Sequence, residues 1–451
     1  MDLLVLSRIQ FAITIMFHYI YPPMSIGLGL IIVITESMYM ITKKPLYHKM
    51  TKFWVKMFGL NFAIGVATGI VMEFEFGTNW ATYSRYVGDV FGSALADEGI
   101  FAFFLESGFL AVLLFGWDKV SSRMYWLSTL LVCLGAHFSA VWIIVAGSWM
   151  QTPAGFHIVG HGMTARAEIT DFWAMVFNPS SMERLSHVLV ASWITGAFFV
   201  LSVSAYYLLK KRHIEFAKVS MRVALAVALV AVVGQIITGR ISAETVAKYQ
   251  PVKLAVMEGH FPANGPAGMY LFGYVDEKSR EVKYGLKIPG LVSFLMHGDA
   301  AQPVAGIESF KKENLPPINI VFQTYHWMIA IGSFLFVLTM VCLIYLWRGK
   351  LFGATWLLKI LVPSVLLPQI ANQLGWMTAE IGRQPWIVYG LLRTSEGLSK
   401  SVTAHIVLTS LIMFSFIYLL LFVLYIYLFD SKIKHGPDEV DHDTGHRAGL
   451  G

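Results

Sequence analysis

The chain has 451 residues, of which 56% are hydrophobic, 14% aromatic and only 14% charged, and its formal net charge is +6 at pH 7. Soluble globular proteins carry roughly 25% charged residues, so this composition excludes a set of soluble domains. It indicates an integral membrane protein.

Apolar segments long enough to cross a bilayer recur along the whole sequence. Only a helix satisfies every backbone polar group within one such segment, and about 20 residues of helix span the hydrocarbon layer. The sequence therefore predicts an all-α integral membrane protein, a bundle of about nine transmembrane helices. The first segment lacks a small-residue cleavage pattern, so we expect no cleaved signal peptide. The predicted spans are residues 11–40, 54–74, 96–116, 125–149, 187–209, 220–240, 319–347, 354–378 and 402–429.

Positive charges alternate between successive loops. Every second short loop is basic, which by the positive-inside rule predicts the N-terminus outside and the C-terminus in the cytoplasm. The net positive charge is thus mainly a sign of topology, and it gives no basis for nucleic-acid binding. The cations of the predicted cytoplasmic loops are Lys43, Lys44, Lys49, Lys52, Lys56, Lys119, Arg123, Lys210, Lys211, Arg212, Lys218, Arg222, Arg348, Lys350 and Lys359.

One long connection, rich in glycine, proline and charge, divides the predicted helices. Connections of this length in compact folds are usually functional or disordered. The sequence therefore predicts six transmembrane helices in residues 1–240, an extracytoplasmic loop at 241–318, three transmembrane helices in 319–429 and a cytoplasmic tail at 430–451.

The chain has two cysteines, Cys133 and Cys342, and each lies inside a predicted span. This excludes a disulfide framework, a thiolate metal cluster and the C-x-x-C-H motif of covalent haem attachment. A cofactor must then be held by histidine, methionine or carboxylate side chains.

Three potential haem ligands lie in the apolar segments. His18 lies in the first span, with Gln10 two turns earlier on roughly the same face, while His187 and Met328 enter two other spans at similar depth. Histidine and methionine on facing helices can bind one haem iron from both sides. Alternatively, each histidine bonds a neighbouring helix, and methionine fills space. The spacing along the sequence does not show whether Met328 or His326 is the second haem ligand opposite His187.

Two carboxyl groups lie in the third span, in ADEGIFAFFLES. Glu98 and Glu106 are eight residues apart, a rise of roughly 12 Å along one helix. Carboxyl groups stacked in this way within a membrane are suited to proton transfer. As an alternative, Asp97 and Glu98 cap the N-terminus of the helix, which accounts for Glu98 better than for Glu106.

Glu380 and Arg383 close the eighth span, in GWMTAEIGRQPW. Their spacing allows a salt bridge with a purely structural role. However, His18, His187 and Glu380 share the predicted outer half of the membrane, which suggests one cofactor site. The residues alone leave two classes open: a haem-containing redox enzyme and a proton-coupled transporter.

Several long strings match a known family in order along the chain. They are RIQFA ahead of His18, GVATGIVMEFEFGTNWATYSRYVGDVFG, EGIFAFFLES, SAVWIIVAGSWMQTP, QPVKLAVMEG and GWMTAEIGRQPW. On these strings the chain resembles subunit I of the cytochrome bd-type quinol oxidases, and the resemblance covers essentially every span.

The resemblance implies haem ligands at four positions. His18 matches a ligand in the pair of high-spin haems, and Glu380 matches the carboxylate that serves the other haem of that pair. His187 and Met328 match the ligands of the low-spin haem b. Arg383 is then expected to balance the charge of the carboxylate or of a haem propionate.

The resemblance also implies roles for five further residues. Glu98, Glu106 and Ser139 match residues along the proton route to the oxygen-reducing haem. Lys253 and Glu258 match residues implicated in quinol oxidation, although by themselves they resemble solvated loop charges. The long connection is then the quinol loop of the family.

The function implied is that of a terminal oxidase in the bacterial cytoplasmic membrane. Two haems b and one haem d would carry electrons from menaquinol or ubiquinol to oxygen, generating proton motive force without pumping. The expected partners are subunit II and a small accessory transmembrane subunit. The quinol loop is short, and His326 stands where many relatives have arginine. A transporter and a di-haem quinone-linked cytochrome are the alternatives.

Overall fold

The computed structural model describes residues 2–438, apart from the side chain of Met163, so residues 439–451 of the predicted tail lie outside it. Within residues 2–438, nine helical segments are long and apolar enough to cross a membrane, as the sequence predicts. The helices are α1 (Leu3–His18), α2 (Tyr21–Thr42), α3 (Pro45–Thr78), α4 (Ala81–Tyr86), α5 (Gly88–Asp97), α6 (Phe104–Phe115), α7 (Ser122–Gln151), α8 (Phe172–Val176), α9 (Ser181–Leu209), α10 (Ile214–Tyr249), α11 (Pro251–Met257), α12 (Leu291–His297), α13 (Ile318–Trp347), α14 (Thr355–Leu361), α15 (Leu366–Ile381) and α16 (Ala404–His435).

The first predicted span is interrupted. Helix α1 ends at His18 and α2 begins at Tyr21, so His18 is the last residue of a helix, whereas the sequence predicts it inside one. Pro22 and Pro23 explain the break, because proline has no amide hydrogen to bond the preceding turn. The side-chain oxygen of Gln10 accepts hydrogen bonds from Asn79 and Ser410 rather than from His18.

The third and eighth spans also deviate from regular α-helix. Helices α5 and α6 are joined by a π-helical segment, Glu98–Phe103, and α14 and α15 by a 3₁₀ turn at Pro363–Val365. Because the third span begins at Gly88, ten residues before Glu98, the alternative that Glu98 caps the helix N-terminus is wrong.

The main core lies where α2, α3, α9 and α10 pack together. Its largest buried side chains include Trp54, Phe58 and Phe198, which are fully enclosed. A second cluster, around Trp80, Tyr83 and Trp149, covers one end of the bundle. Each buried aromatic ring removes a large apolar area from solvent, which stabilises the packing of the helices around it.

The connection between α10 and α13 folds back on itself as three nested antiparallel strand pairs: β3 with β8, β4 with β7 and β5 with β6. Helix α10 continues to Tyr249, so the first nine residues of the predicted loop are helical. The strands are β1 (Phe156–Val159), β2 (Arg166–Ile169), β3 (Asn264–Pro266), β4 (Met269–Tyr270), β5 (Tyr274–Asp276), β6 (Glu281–Lys283), β7 (Lys287–Ile288), β8 (Pro303–Ala305), β9 (Trp386–Val388) and β10 (Leu392–Arg393).

Candidate functional site

A single large cavity brings the predicted site residues together. Its volume is about 1990 Å³, whereas pockets for one drug-sized ligand measure roughly 300–1,000 Å³. The cavity therefore has room for more than one large group. All ten residues predicted as site residues line it: His18, Glu98, Glu106, Ser139, His187, Lys253, Glu258, Met328, Glu380 and Arg383.

His18 is held at the edge of the cavity by α3. Its Nδ1 atom lies 3.0 Å from the hydroxyl oxygen of Thr68. A Cβ atom on Gly69 would lie 3.2 Å from His18 Cε1, so glycine makes room for the ring at this position. A histidine whose Nδ1 is bonded in this way can present Nε2 to a metal, and such an outer partner orients most metal-binding histidines.

His187 is held in the same manner by α10. Its Nδ1 atom lies 3.1 Å from the hydroxyl oxygen of Thr238, and Gly239 lies against Cε1. The amide nitrogen of Gln235 lies 3.0 Å from His187 Nε2. The two histidines thus share one arrangement, a Thr-Gly pair on the adjacent helix, which spacing along the sequence did not reveal.

Met328 lines the cavity from α13, whereas His326 is not among the lining residues. A Cβ atom on Gly375 would lie 2.9 Å from Met328 Sδ, so α15 leaves space for the thioether only because glycine stands there. His326 instead lies with Nδ1 2.8 Å from the carbonyl oxygen of Phe322 and stacks on the Phe322 ring. Geometry therefore favours Met328 as the side chain that can contact a group in the cavity.

Glu380 and Arg383 form the predicted ion pair. Both terminal nitrogens of Arg383 donate to the carboxylate, one of them over 3.3 Å, and the side chain of Arg383 is only 3% exposed. Arg383 Nε also donates to the carbonyl oxygen of Trp386. The pair holds a carboxylate at the cavity wall in a fixed orientation.

Gln151, the last residue of α7, connects this ion pair with Lys253. The Lys253 ammonium group donates to Gln151 Oε1 over 2.6 Å, and the Gln151 amide nitrogen donates to Glu380 Oε1 over 3.2 Å. Burial, together with repulsion from Arg184 and Arg383, lowers the pKa of Lys253 well below its usual range. Gln151 is not among the site residues predicted from the sequence, although it is a polar residue at the end of a membrane-length apolar run.

Glu258 directly follows the last residue of α11 and is buried against Tyr325, to which it is hydrogen-bonded. Its second carboxylate oxygen, Oε2, is buried and has no hydrogen-bond partner among the described residues. Burial raises the pKa of Glu258 to about 7. A carboxyl group that titrates near neutral pH can exchange a proton with a ligand in the cavity.

Glu98 and Glu106 both face α7. Ser139 donates to Glu98 Oε1 over 2.6 Å, while Glu106 packs against Gly135, one turn away along the same helix. The Glu106 side chain is buried, and both carboxyl groups reach the cavity. This arrangement can pass protons along the wall of the cavity.

The donor set of the cavity fits haem. Within residues 2–438, no group of three or more histidine, cysteine or acidic side chains is placed to hold a bare metal ion. The imidazoles, the thioether and the carboxylate instead stand singly, as axial ligands of a haem iron do. Three arginines that line the same cavity, Arg8, Arg184 and Arg383, can neutralise haem propionates.

Comparison with known proteins identifies the family. Residues 6–437 match the family model described as cytochrome bd terminal oxidase subunit I. The chain is 40% identical to cytochrome bd ubiquinol oxidase subunit 1 of Bacillus subtilis, over 99% of this chain and 96% of that protein. It is 34% identical to cytochrome bd-II ubiquinol oxidase subunit 1 of Escherichia coli, over 98% of each chain.

The fold agrees with this result. The bd oxidase structure from Geobacillus thermodenitrificans superposes with a TM-score of 0.90 at 31% identity, covering 97% of this chain and 99% of that one. The mostly helical architecture, with nine membrane-length helices within residues 2–438, is consistent with that match. The chain belongs to the cytochrome bd terminal oxidase subunit I family.

Proposed function

We propose that this chain is the haem-carrying subunit of a quinol:oxygen oxidoreductase, a multi-pass respiratory protein of the bacterial cytoplasmic membrane. Family membership makes it part of a terminal oxidase. The observation that carries the proposal is that ten residues, dispersed from His18 to Arg383, line one cavity that has room for more than one large group. Subunit II is the expected partner, and a small accessory transmembrane subunit completes the proposed complex.

In this proposal the cavity holds two haems b and one haem d. His187 and Met328 bind the low-spin haem b, while His18 and Glu380 serve the two high-spin haems. When bound, the haems supply the electron transfer from quinol and the four-electron reduction of oxygen to water. The chain itself supplies ligand identity, orientation through Thr68 and Thr238, and a dry environment.

Quinol oxidation is proposed at α11. Lys253 and Glu258 are both almost fully buried and both reach the cavity, so a quinol bound there would meet a hydrogen-bond donor and a proton acceptor. Tyr325 orients the carboxyl group. With the connection between α10 and α13 on the outer face, the protons of quinol are released outside.

The pH dependence of quinol oxidation tests the role of Glu258. Only the carboxylate can accept a proton, and burial raises the pKa of Glu258 to about 7. We therefore expect kcat/KM for quinol to rise as pH increases through about 7. Glu258→Gln should remove this rise and lower kcat/KM roughly a hundredfold, the scale of general base catalysis. Glu277→Gln, at an exposed position of the same connection, is the control; an unchanged profile in Glu258→Gln would contradict the role.

Protons for oxygen reduction are proposed to pass Glu98, Ser139 and Glu106. The hydrogen bond from Ser139 to Glu98 and the burial of Glu106 against α7 support this route. Because these protons come from the cytoplasm, whereas quinol protons leave outside, charge crosses the membrane without pumping. Each elementary charge moved against 100 mV stores about 2.3 kcal/mol.

Glu106→Ala is expected to lower oxygen reduction at least tenfold while all haem bands remain, because loss of a proton carrier typically costs a factor of 10² or more. The rate should be measured with an artificial electron donor, which bypasses the quinol site. Ser107→Ala, at a half-buried neighbouring position that does not line the cavity, should not affect it. Full turnover in Glu106→Ala would remove this residue from the route.

Oxygen uptake by the purified two-subunit complex, started by quinol, tests the function as a whole. The proposal predicts uptake with water as the product. A di-haem cytochrome that passes electrons onward would show haem reduction by quinol without oxygen uptake. A proton-coupled transporter would show no haem bands at all.

A further inference from the structure

The amide of Gln151 occupies a position between two sites that the proposed function treats separately. On one side lies Lys253, assigned to quinol, and on the other lies Glu380, assigned to a high-spin haem. We propose that Gln151 is a positioning residue that joins these two sites into one hydrogen-bonded unit. The inference rests on the proposed function and deepens it.

The orientation of the Gln151 amide follows from its neighbours. A lysine nitrogen donates hydrogen bonds whether or not it is charged, and a carboxylate paired with an arginine can only accept them. The carbonyl oxygen must therefore face Lys253, 2.6 Å away, and the amino group must face Glu380, 3.2 Å away. An amide satisfies both at once, which neither a carboxylate nor an apolar side chain can do.

The backbone of Gln151 is also held in place by a hydrogen bond. It ends α7, where helix carbonyl groups lack partners within the helix. Gln250, which precedes α11, donates its amide to the Gln151 carbonyl oxygen over 2.8 Å and to Oε1 over 3.0 Å. A weaker bond runs from the Gln151 amide to the carbonyl oxygen of Ala379. The ends of α7 and α15 and the start of α11 thus meet at one buried side chain.

Because these side chains are buried, the loss of any one of these hydrogen bonds is costly. Gln151 is 2% exposed and Lys253 3% exposed, so water cannot replace a lost partner. Removing one partner of a buried charged group costs more than removing both. The position of the Lys253 ammonium group, and hence its contact with quinol, then depends on Gln151.

Gln151→Leu is the principal variant, because leucine has a similar size but no hydrogen-bonding groups. We expect the KM for quinol to rise about tenfold. The absorption band of the high-spin haem that is assigned to Glu380 should also shift. Gln373→Leu on α15 is the matched control, since that amide donates only to the Met16 carbonyl oxygen among the described residues and does not line the cavity.

Comparing the two single variants with the double variant shows whether Lys253 affects the haem band through Gln151 or independently of it. Lys253→Met should shift the same band, and the shift in Lys253→Met/Gln151→Leu should not exceed that of Gln151→Leu alone. Additive shifts, or an unchanged quinol KM in Gln151→Leu, would overturn the inference. If the Gln151→Leu complex does not assemble, Lys253→Met tests the inference by itself. An unshifted high-spin haem band in Lys253→Met would show that Lys253 and Glu380 are not coupled. Absence of quinol oxidation in the unaltered complex would instead contradict the proposed function.

Discussion

Alanine at His187 or at Met328 is expected to abolish the low-spin haem band of the purified complex and to lower quinol-dependent oxygen uptake at least about a hundredfold. Loss of an outer partner of a metal ligand already costs roughly 10–100-fold, and loss of the ligand itself should cost more. Thr238 and Gly375 place these two side chains at the cavity, and no other thioether or imidazole is proposed to replace them. Reduced-minus-oxidised difference spectra measure the band directly.

Two side chains of the same types provide controls for these variants. His137 on α7 and Met340 on α13 do not line the cavity. His137 accepts a hydrogen bond from Trp193 and Met340 packs against the main core. Alanine at either position should retain the low-spin band, although with lower thermal stability. Retention of the band in both His187→Ala and Met328→Ala would refute the pairing.

Glu380→Ala is expected to have two separate effects. The variant should lose one high-spin haem band, together with oxygen reduction. It should also be destabilised by about 3–5 kcal/mol, because Arg383 would remain buried without its counter-ion. Difference spectra report the first effect and thermal unfolding of the complex the second.

A paired variant distinguishes these two effects. In Glu380→Ala/Arg383→Leu the unpaired buried charge is absent, so stability should largely recover, whereas the haem band should not. If the band returns with stability, then Glu380 acts only as a partner of Arg383. A full haem complement in Glu380→Ala alone would contradict the assignment of this residue to haem binding.

Much of the site could be predicted because the membrane makes polar residues conspicuous. His18, Glu106 and Glu380 stand out in apolar runs, and an ionisable side chain in such a run needs a partner or a function. In the structure, all three side chains line the same cavity. The resemblance added Lys253 and Glu258, which composition alone could not separate from ordinary loop charges.

The site residues that were not predicted escaped notice for a different physical reason. Thr68, Thr238 and Gln151 act across helices that are remote in sequence, and threonine or glutamine in a helix has many unremarkable uses. Their importance lies in contacts with His18, His187 and Lys253, which spacing does not encode. Helix breaks were missed for a similar reason: at His18 the two prolines were visible, but where the chain would resume its helix was not.

The most direct test of the account is an experimental density map of the purified complex with subunit II, combined with haem analysis. We expect three haems in the one cavity, with iron next to His187 and Met328 for one of them and next to His18 and Glu380 for the others. Haem iron bound elsewhere in the chain, or a cavity filled by lipid with no iron in the preparation, would contradict it.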